Sequence, residues 1–325
     1  MSSNRDIAGR YRLAMTTDAW TADRMRSVFE SVKNWGRWGP DDEAGALNLI
    51  TPAKRLEAAA TVATGDVVSC SLPLAVQPAP DNPHPALHMM VRGGDDCLLP
   101  GTGFEMTSDF VGVAFHGMAT SHIDALCHVF VDGRMYNGFA GTEVRSTGAR
   151  RGSIMNASDG IVSRGVLLDI PRSLGIESLE KTHLITVDEL EACVATQGVS
   201  VGAGDILLVA TGRDAKRAAE GPWVPWHGLA GLHPECIPWL HDRDIAVLGA
   251  DGVSDGLPGL GLEGWFMPVH QCALVAMGVH LLDNLRLDRL GAACAAAERW
   301  EFQFTVAPLH VDGGTGSPVN AVAVL

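Results

Sequence analysis

One run constrains this chain more than any other: Phe115-His116-Gly117-Met118-Ala119-Thr120-Ser121-His122-Ile123-Asp124-Ala125-Leu126-Cys127-His128. Three histidines and an aspartate stand among side chains that are otherwise small or apolar. In an extended segment side chains alternate faces with a period of two, so His116, His122, Asp124 and His128 point the same way. His122 and Asp124 are then neighbours about 6.6 Å apart along the strand, a gap that two ligands of one metal ion bridge with their side chains. A strand whose histidines simply hydrogen-bond in a core would suit any one of them taken alone. The His-x-Asp pair with a histidine six residues to either side points instead to a metal or catalytic site on a central extended segment within 110–128.

The chain is long enough, at 325 residues with 46% hydrophobic and 19% charged side chains, to bury a large core as a globular protein. No internal repeat or low-complexity linker interrupts it, so one domain spanning 1–325 is expected. A formal net charge of −14 argues against nucleic acid or an anionic membrane as partner. The start, Met1-Ser2-Ser3-Asn4-Arg5-Asp6, lacks the apolar core of a signal peptide, and no window offers about 18 uncharged apolar residues. The seven cysteines, Cys70, Cys97, Cys127, Cys193, Cys236, Cys272 and Cys294, are odd in number and form no C-x-x-C pair. They read as buried thiols in a reducing compartment, by default the cytoplasm.

Along the chain, 1–34 is an N-terminal extension with a helix predicted over 22–33. Asn34-Trp35-Gly36-Arg37-Trp38-Gly39-Pro40-Asp41-Asp42-Glu43 is a turn-rich loop. Its Trp35 and Trp38 are candidate walls of a substrate pocket, and its acids are alternatively caps for a helix opening at Thr51-Pro52. Residues 67–72 read as a strand and 77–108 as a long loop suited to a lid, with His84 and His88 on its surface. From 160 onward strands and helices alternate: strands at 165–170, 204–210 and 245–249, a capping box Thr186-x-x-Glu189 opening a helix that Gly198 ends, and a short helix after His233-Pro234-Glu235. That alternation argues for an α/β architecture. His233, ahead of a helix, and Asp251, just past a strand end, are candidate pocket residues.

Two glycine runs are weaker than they look. Gly259-Leu260-Gly261-Leu262-Glu263-Gly264 follows no strand and meets Pro268, whereas a dinucleotide turn needs strand, turn and helix in succession. Gly313-Gly314-Thr315-Gly316-Ser317-Pro318 lacks the Lys-Ser/Thr of a phosphate loop and reads as a structural turn placed to close over the site. There is no G-x-S-x-G, which weakens a serine-hydrolase reading.

The run Ser121-His122-Ile123-Asp124-Ala125-Leu126-Cys127-His128 resembles the His-x-Asp-x-x-x-His core of the cyclase family of metal-dependent hydrolases, a group that includes bacterial kynurenine formamidases and isatin hydrolase. The resemblance implies the swivelling β/β/α fold of that family, with His122 and Asp124 as ligands of a divalent ion and His128 as the acid–base group. A second match is His270 followed by Asp283-Asn284-Leu285, where the family carries His and then Glu-Asn-Leu at or beside the metal. The Trp-Gly loop and Arg299-Trp300-Glu301-Phe302 extend the similarity over most of the chain. It departs at Met118, where the family places its first histidine ligand, and at Leu126, where it has Pro. The nearest histidine, His116, lies about 20 Å from His122 if the chain is extended, so it becomes a third ligand only through a bend, for which a bulge at Gly117 is the candidate.

The expected function is hydrolysis of a small amide, lactam or lactone around Zn²⁺ or Mn²⁺, with His122, Asp124, His116, His270 and Asp283 at the ion. A homodimer is implied by the same resemblance. A lyase or cyclase using these residues for proton transfer without water, and a binding protein that has lost its metal, are the two other classes the sequence leaves open.

Overall fold

The computed structural model describes residues 20–96 and 101–325. Nine strands form one mixed sheet: β1 (Val67–Ser69), β2 (His122–Asp124), β3 (Ile161–Asp169), β4 (Ile206–Ala210), β5 (Val247–Ala250), β6 (His280–Asp283), β7 (Glu301–Val306), β8 (Gly316–Pro318) and β9 (Val322–Val324). Their order is β1-β9-β7-β3-β4-β5-β6-β2-β8. The middle four, β3 to β6, run parallel. They are near-continuous apolar runs because both faces of a parallel sheet are covered.

Alternation splits those runs between two cores. Val166, Leu168, Leu207, Val209, Leu248 and Leu281 pack with Phe29, Leu190 and Trp239 from the helices Ala22–Ser31, Val187–Gln197 and Cys236–Asp242. Leu167, Ile206, Leu208, Val247 and Leu282 pack with Phe302, Phe304 and the helix Asp288–Ala297. Each fully buried Leu or Phe contributes about 1.5–3 kcal/mol.

The site lies where the sheet changes sense. β6 is the last parallel strand, and β2 joins it antiparallel with Asp283 opposite His122 and Leu281 opposite Asp124. Directly opposed residues share a face, so Asp283, His122 and Asp124 project together. β8 closes the other side of β2.

Local signals produced the helices that were expected. Thr21 and Thr51 cap their helices, the Thr186–Glu189 capping box is formed, and Gly198 takes the left-handed conformation after Gln197. The acids after Trp38 do not cap the helix at Pro52: Asp42 accepts from Gly45 N, Asn48 Nδ2 and the Tyr136 hydroxyl, while Glu43 pairs with Arg151.

Two expectations change. The extended segment is short, only His122–Asp124, and the chain bends sharply through 116–120 before it. The 77–108 stretch is no plain loop, because Leu87–Arg92 and Ser108–Gly112 pair as an antiparallel hairpin. Its runs Leu87-His88-Met89-Met90-Val91 and Asp109-Phe110-Val111 have the β-branched and apolar content of strands. The six described cysteines are free and buried; Cys97, like residues 1–19 of the N-terminal extension, lies outside the described residues. Among the described residues no helix is long and apolar enough to cross a membrane.

Candidate metal centre

Asp124 is the hub. It is 1% exposed, and four histidines converge on its carboxylate: His116 Nδ1 at 2.9 Å, His122 Nε2 at 3.4 Å, His270 Nε2 at 3.7 Å and His128 Nε2 at 4.0 Å. Asp283 Oδ2 lies 3.2 Å from His270 Nε2. Three of the rings are tied at one nitrogen and aimed with the other. His122 Nδ1 donates to the Thr120 carbonyl at 2.8 Å, His270 Nδ1 to Asp255 at 2.6 Å, and His116 Nε2 meets Thr315 Oγ1 at 3.0 Å. Fixing one nitrogen selects the tautomer that presents the other as a ligand.

The acceptors are left over in a telling way. Asp124 Oδ1, Asp283 Oδ1 and His116 Nδ1 are buried without a hydrogen bond of acceptable geometry, although His116 Nδ1 and Asp124 Oδ1 are in contact. Buried polar atoms are rarely left so. A cluster of lone pairs without donors is what a cation satisfies, and it fits a divalent ion held by nitrogen and oxygen. Two groups have ligand atoms mutually close enough to hold an ion: His116, His122 and Asp124, and Asp124, His270 and Asp283. The five candidates therefore form two overlapping triads that share Asp124, not one shell.

The bend that delivers His116 is clamped from far along the chain. Asn284 Nδ2 donates to the Gly117 and Thr120 carbonyls, Arg213 Nη2 donates to the Met118 carbonyl, and Ser121 Oγ donates to the Asn284 carbonyl. Gly117 lies within this bend, and its φ is not in the positive region. A glycine is needed at 316, where a Cβ would stand 2.5 Å from the Ile123 carbonyl oxygen and 2.9 Å from the His116 ring. The 313–318 turn thus packs onto the site and supplies Thr315. Met118 packs with Leu229, Val253 and Leu257 and also lines the cavity over the triads.

The charges are strongly coupled. Burial works against the charge on Asp124, but its histidine partners hold its carboxyl well below the usual range. Burial likewise opposes charge on His122, and the hydrogen bond and charge of Asp124 outweigh it, to about 8. His270 is raised well above its ordinary value, burial being overcome by Asp283 and Asp255. His128 goes the other way: burial pulls it down to about 4 against the attraction of Asp124. Its ring stacks on His116 at 3.8 Å between centroids, 2° from parallel.

A cavity of about 400 Å³ opens over the triads, lined by His116, His128 and Asp283 and walled by Val129, Phe130, Trp226, Val253, Phe266 and Met267. Trp35, Trp38, His233 and Asp251 do not reach it. Trp35 Nε1 donates to the Val275 carbonyl, and the Trp38 ring carries the Arg37 guanidinium. His233 turns back to Glu235. Asp251 accepts from the backbone of Thr211, Gly212 and Arg213 at the start of the helix Arg213–Glu220. The aromatic wall comes from Trp226 and Phe266, 5.8 Å apart, which no spacing in the sequence singled out.

A family model described as "Putative cyclase" matches residues 50–255. Among solved structures, a crystal structure of a novel cyclase is 30% identical, covers 90% of this chain and 100% of its own, and superposes with a TM-score of 0.82. An isatin hydrolase bound to the product analogue thioisatinate is 22% identical over 84% of this chain and 95% of its own, with a TM-score of 0.56. Isatin hydrolase A from Labrenzia aggregata, bound to benzyl benzoate, is 18% identical over 84% and 98%, also at 0.56. No curated protein matches the chain. The α/β fold expected from the motifs is therefore present, and the chain belongs to the putative cyclase family.

Proposed function

We propose that the chain is a metal-dependent hydrolase of a small amide, lactam or lactone. The observation that carries this reading is the convergence of three tautomer-fixed histidines on one buried carboxylate with unsatisfied oxygens. His116, His122 and Asp124 would hold an ion on one side of the hub, and Asp124, His270 and Asp283 on the other. Zn²⁺ and Mn²⁺ both suit imidazole with carboxylate. A bound divalent ion supplies Lewis acidity, which polarises a carbonyl and makes water acidic near neutral pH. His128, neutral and lining the cavity, takes the proton from water and returns it to the leaving group. The apolar walls hold the organic body of the substrate and exclude bulk water. The isatin hydrolases share this fold, which supports a cyclic amide among the substrates to try.

The test loads the protein with Zn²⁺ or Mn²⁺ and follows small lactams, lactones and N-acyl amines by mass spectrometry. Hydrolysis adds one water; a product of unchanged mass assigns cyclase chemistry instead. Metal affinity of His116→Ala and Met118→His is the companion measurement. His116→Ala is expected to weaken binding at least 10-fold, since losing even a supporting partner of a ligand costs 10–100-fold. Met118→His is expected to leave it near wild type because the side chain at 118 packs on Leu229 and Val253 beside the cavity, outside both triads. The reverse pattern would remove His116 from the ligand set.

The sheet draws β1 and β9 from opposite ends of the chain, which supports 1–325 working as one domain, and the buried thiols support a reducing, cytoplasmic setting. We infer a homodimer from the hairpin, whose Leu87, Met89, Met90, Val91, Phe110 and Val111 are all about half exposed. A two-stranded hairpin is marginal in water by itself, and a second copy would cover these side chains. Light scattering should find a dimer that Met89→Asp with Phe110→Asp turns into a monomer; a monomeric wild type refutes it.

A further inference from the structure

Asp255 is 1% exposed and sits directly behind the metal centre. Its backbone is held against β-bridge neighbours: Leu232 N donates to the Ser254 carbonyl at 2.9 Å, and a Cβ at Gly231 would come within 2.4 Å of the Asp255 carbonyl. One carboxylate oxygen accepts from Val269 N at 2.8 Å. The other accepts from His270 N at 3.0 Å and from His270 Nδ1 at 2.6 Å. Both ends of the His270 residue, backbone and ring, are therefore tied to one rigid carboxylate. With Nδ1–H donated to Asp255, the neutral imidazole directs the lone pair of Nε2 at Asp283 Oδ2, 3.2 Å away, and Asp124 Oδ2, 3.7 Å away.

Nε2 facing two carboxylates calls for a proton or a metal ion between them, and with an ion in place of the proton this is the arrangement of a carboxylate–histidine–metal series. We propose that Asp255 is a positioning residue: it fixes the tautomer and ring angle of His270 and so builds the half of the centre formed by Asp124, His270 and Asp283. Resting on the metal-centre reading above, it assigns to that site a residue that touches neither ion nor substrate. The competing role for Asp255 is as a cap only, since it also accepts two backbone N–H groups where the helix at Pro268 starts.

A zinc titration of the full chain against a chromophoric chelator separates the two. Asp255→Asn is expected to weaken, by about 10–100-fold, the same binding step that His270→Gln removes. Added to His270→Gln, Asp255→Asn should cost nothing further, because its effect passes through the ring. An equal loss in both backgrounds, or no loss in either, overturns the proposal. A measurement without any variant stands beside it: imidazole ¹⁵N resonances of zinc-loaded wild type should show His270 protonated at Nδ1, and protonation at Nε2 refutes the assignment. Wild type that binds no zinc overturns the metal-centre reading and this inference together. Wild type that binds zinc with Asp255→Asn unaffected overturns only the inference.

Discussion

Replacing His128 with Asn is expected to lower turnover by about 10²–10⁴-fold, the usual worth of a positioned acid–base group, with metal content unchanged. Asn gives up the ring stacked on His116 but keeps a planar, hydrogen-bonding tip that cannot carry the proton. His128 stands outside both triads that can hold an ion, and its Nε2 is the most distant of the four histidine contacts to Asp124, at 4.0 Å. Its side chain is 30% exposed to the cavity, against 3% for His122 and 5% for His270. His116, a ligand in the proposed set, is 26% exposed beside it, so exposure separates His128 from His122 and His270 and not from His116. Held near 4 by burial, the ring is neutral at physiological pH and ready to accept a proton. Metal analysis alongside steady-state rates decides the matter. Loss of metal in step with activity would make His128 a ligand; full activity with full metal would remove it from the chemistry.

What could be read from the sequence was what is local. The pair His122 and Asp124 shares a face because alternation along three residues is enough to place it. The caps at Thr51 and Thr186 are equally short-range, and the apolar strands at 206–210 and 247–250 announce a covered parallel sheet. Extension failed as a guide to His116. An extended chain would carry it about 20 Å from His122, and the bend that cancels that distance is imposed by Asn284 and Arg213, some 95 to 167 positions away. No window centred on 116 contains them. The same reason hid Asp255, whose role appears only once β6 and the helix at Pro268 are packed. Trp35 and Trp38 misled in the opposite direction: an aromatic loop is a fair candidate for a pocket wall, but the Trp35 indole N–H found the Val275 carbonyl and its ring turned inward. Trp226 and Phe266 line the cavity from loops whose sequence carries no pattern.

Metal affinity at each triad should climb with pH, by about tenfold for each pH unit through the neutral range. In the metal-free site His122 titrates at about 8, because its hydrogen bond to Asp124 and the nearby Asp283 charge outweigh the cost of burial. His270 is raised well above its ordinary value, burial being overcome by Asp283 and Asp255. Both rings are therefore imidazolium at pH 7, each neutralising a buried carboxylate that would otherwise stand alone. A ligand nitrogen has to be unprotonated, so an ion in either triad displaces one proton, from His122 on one side of Asp124 and from His270 on the other. Each proton released adds a factor of ten in apparent affinity per pH unit, and the sign is positive because the competing proton is withdrawn as pH rises. Above about 8 the slope at the triad of His116, His122 and Asp124 should flatten, since His122 is then already neutral. His128 adds nothing to the slope, being neutral throughout. Competition titrations at closely spaced pH values, corrected for the chelator's own protonation, measure this directly. An affinity that stays flat between about pH 6 and 7 would mean that neither imidazolium is displaced, and the triads around Asp124 would then be ion-pair networks and no metal site.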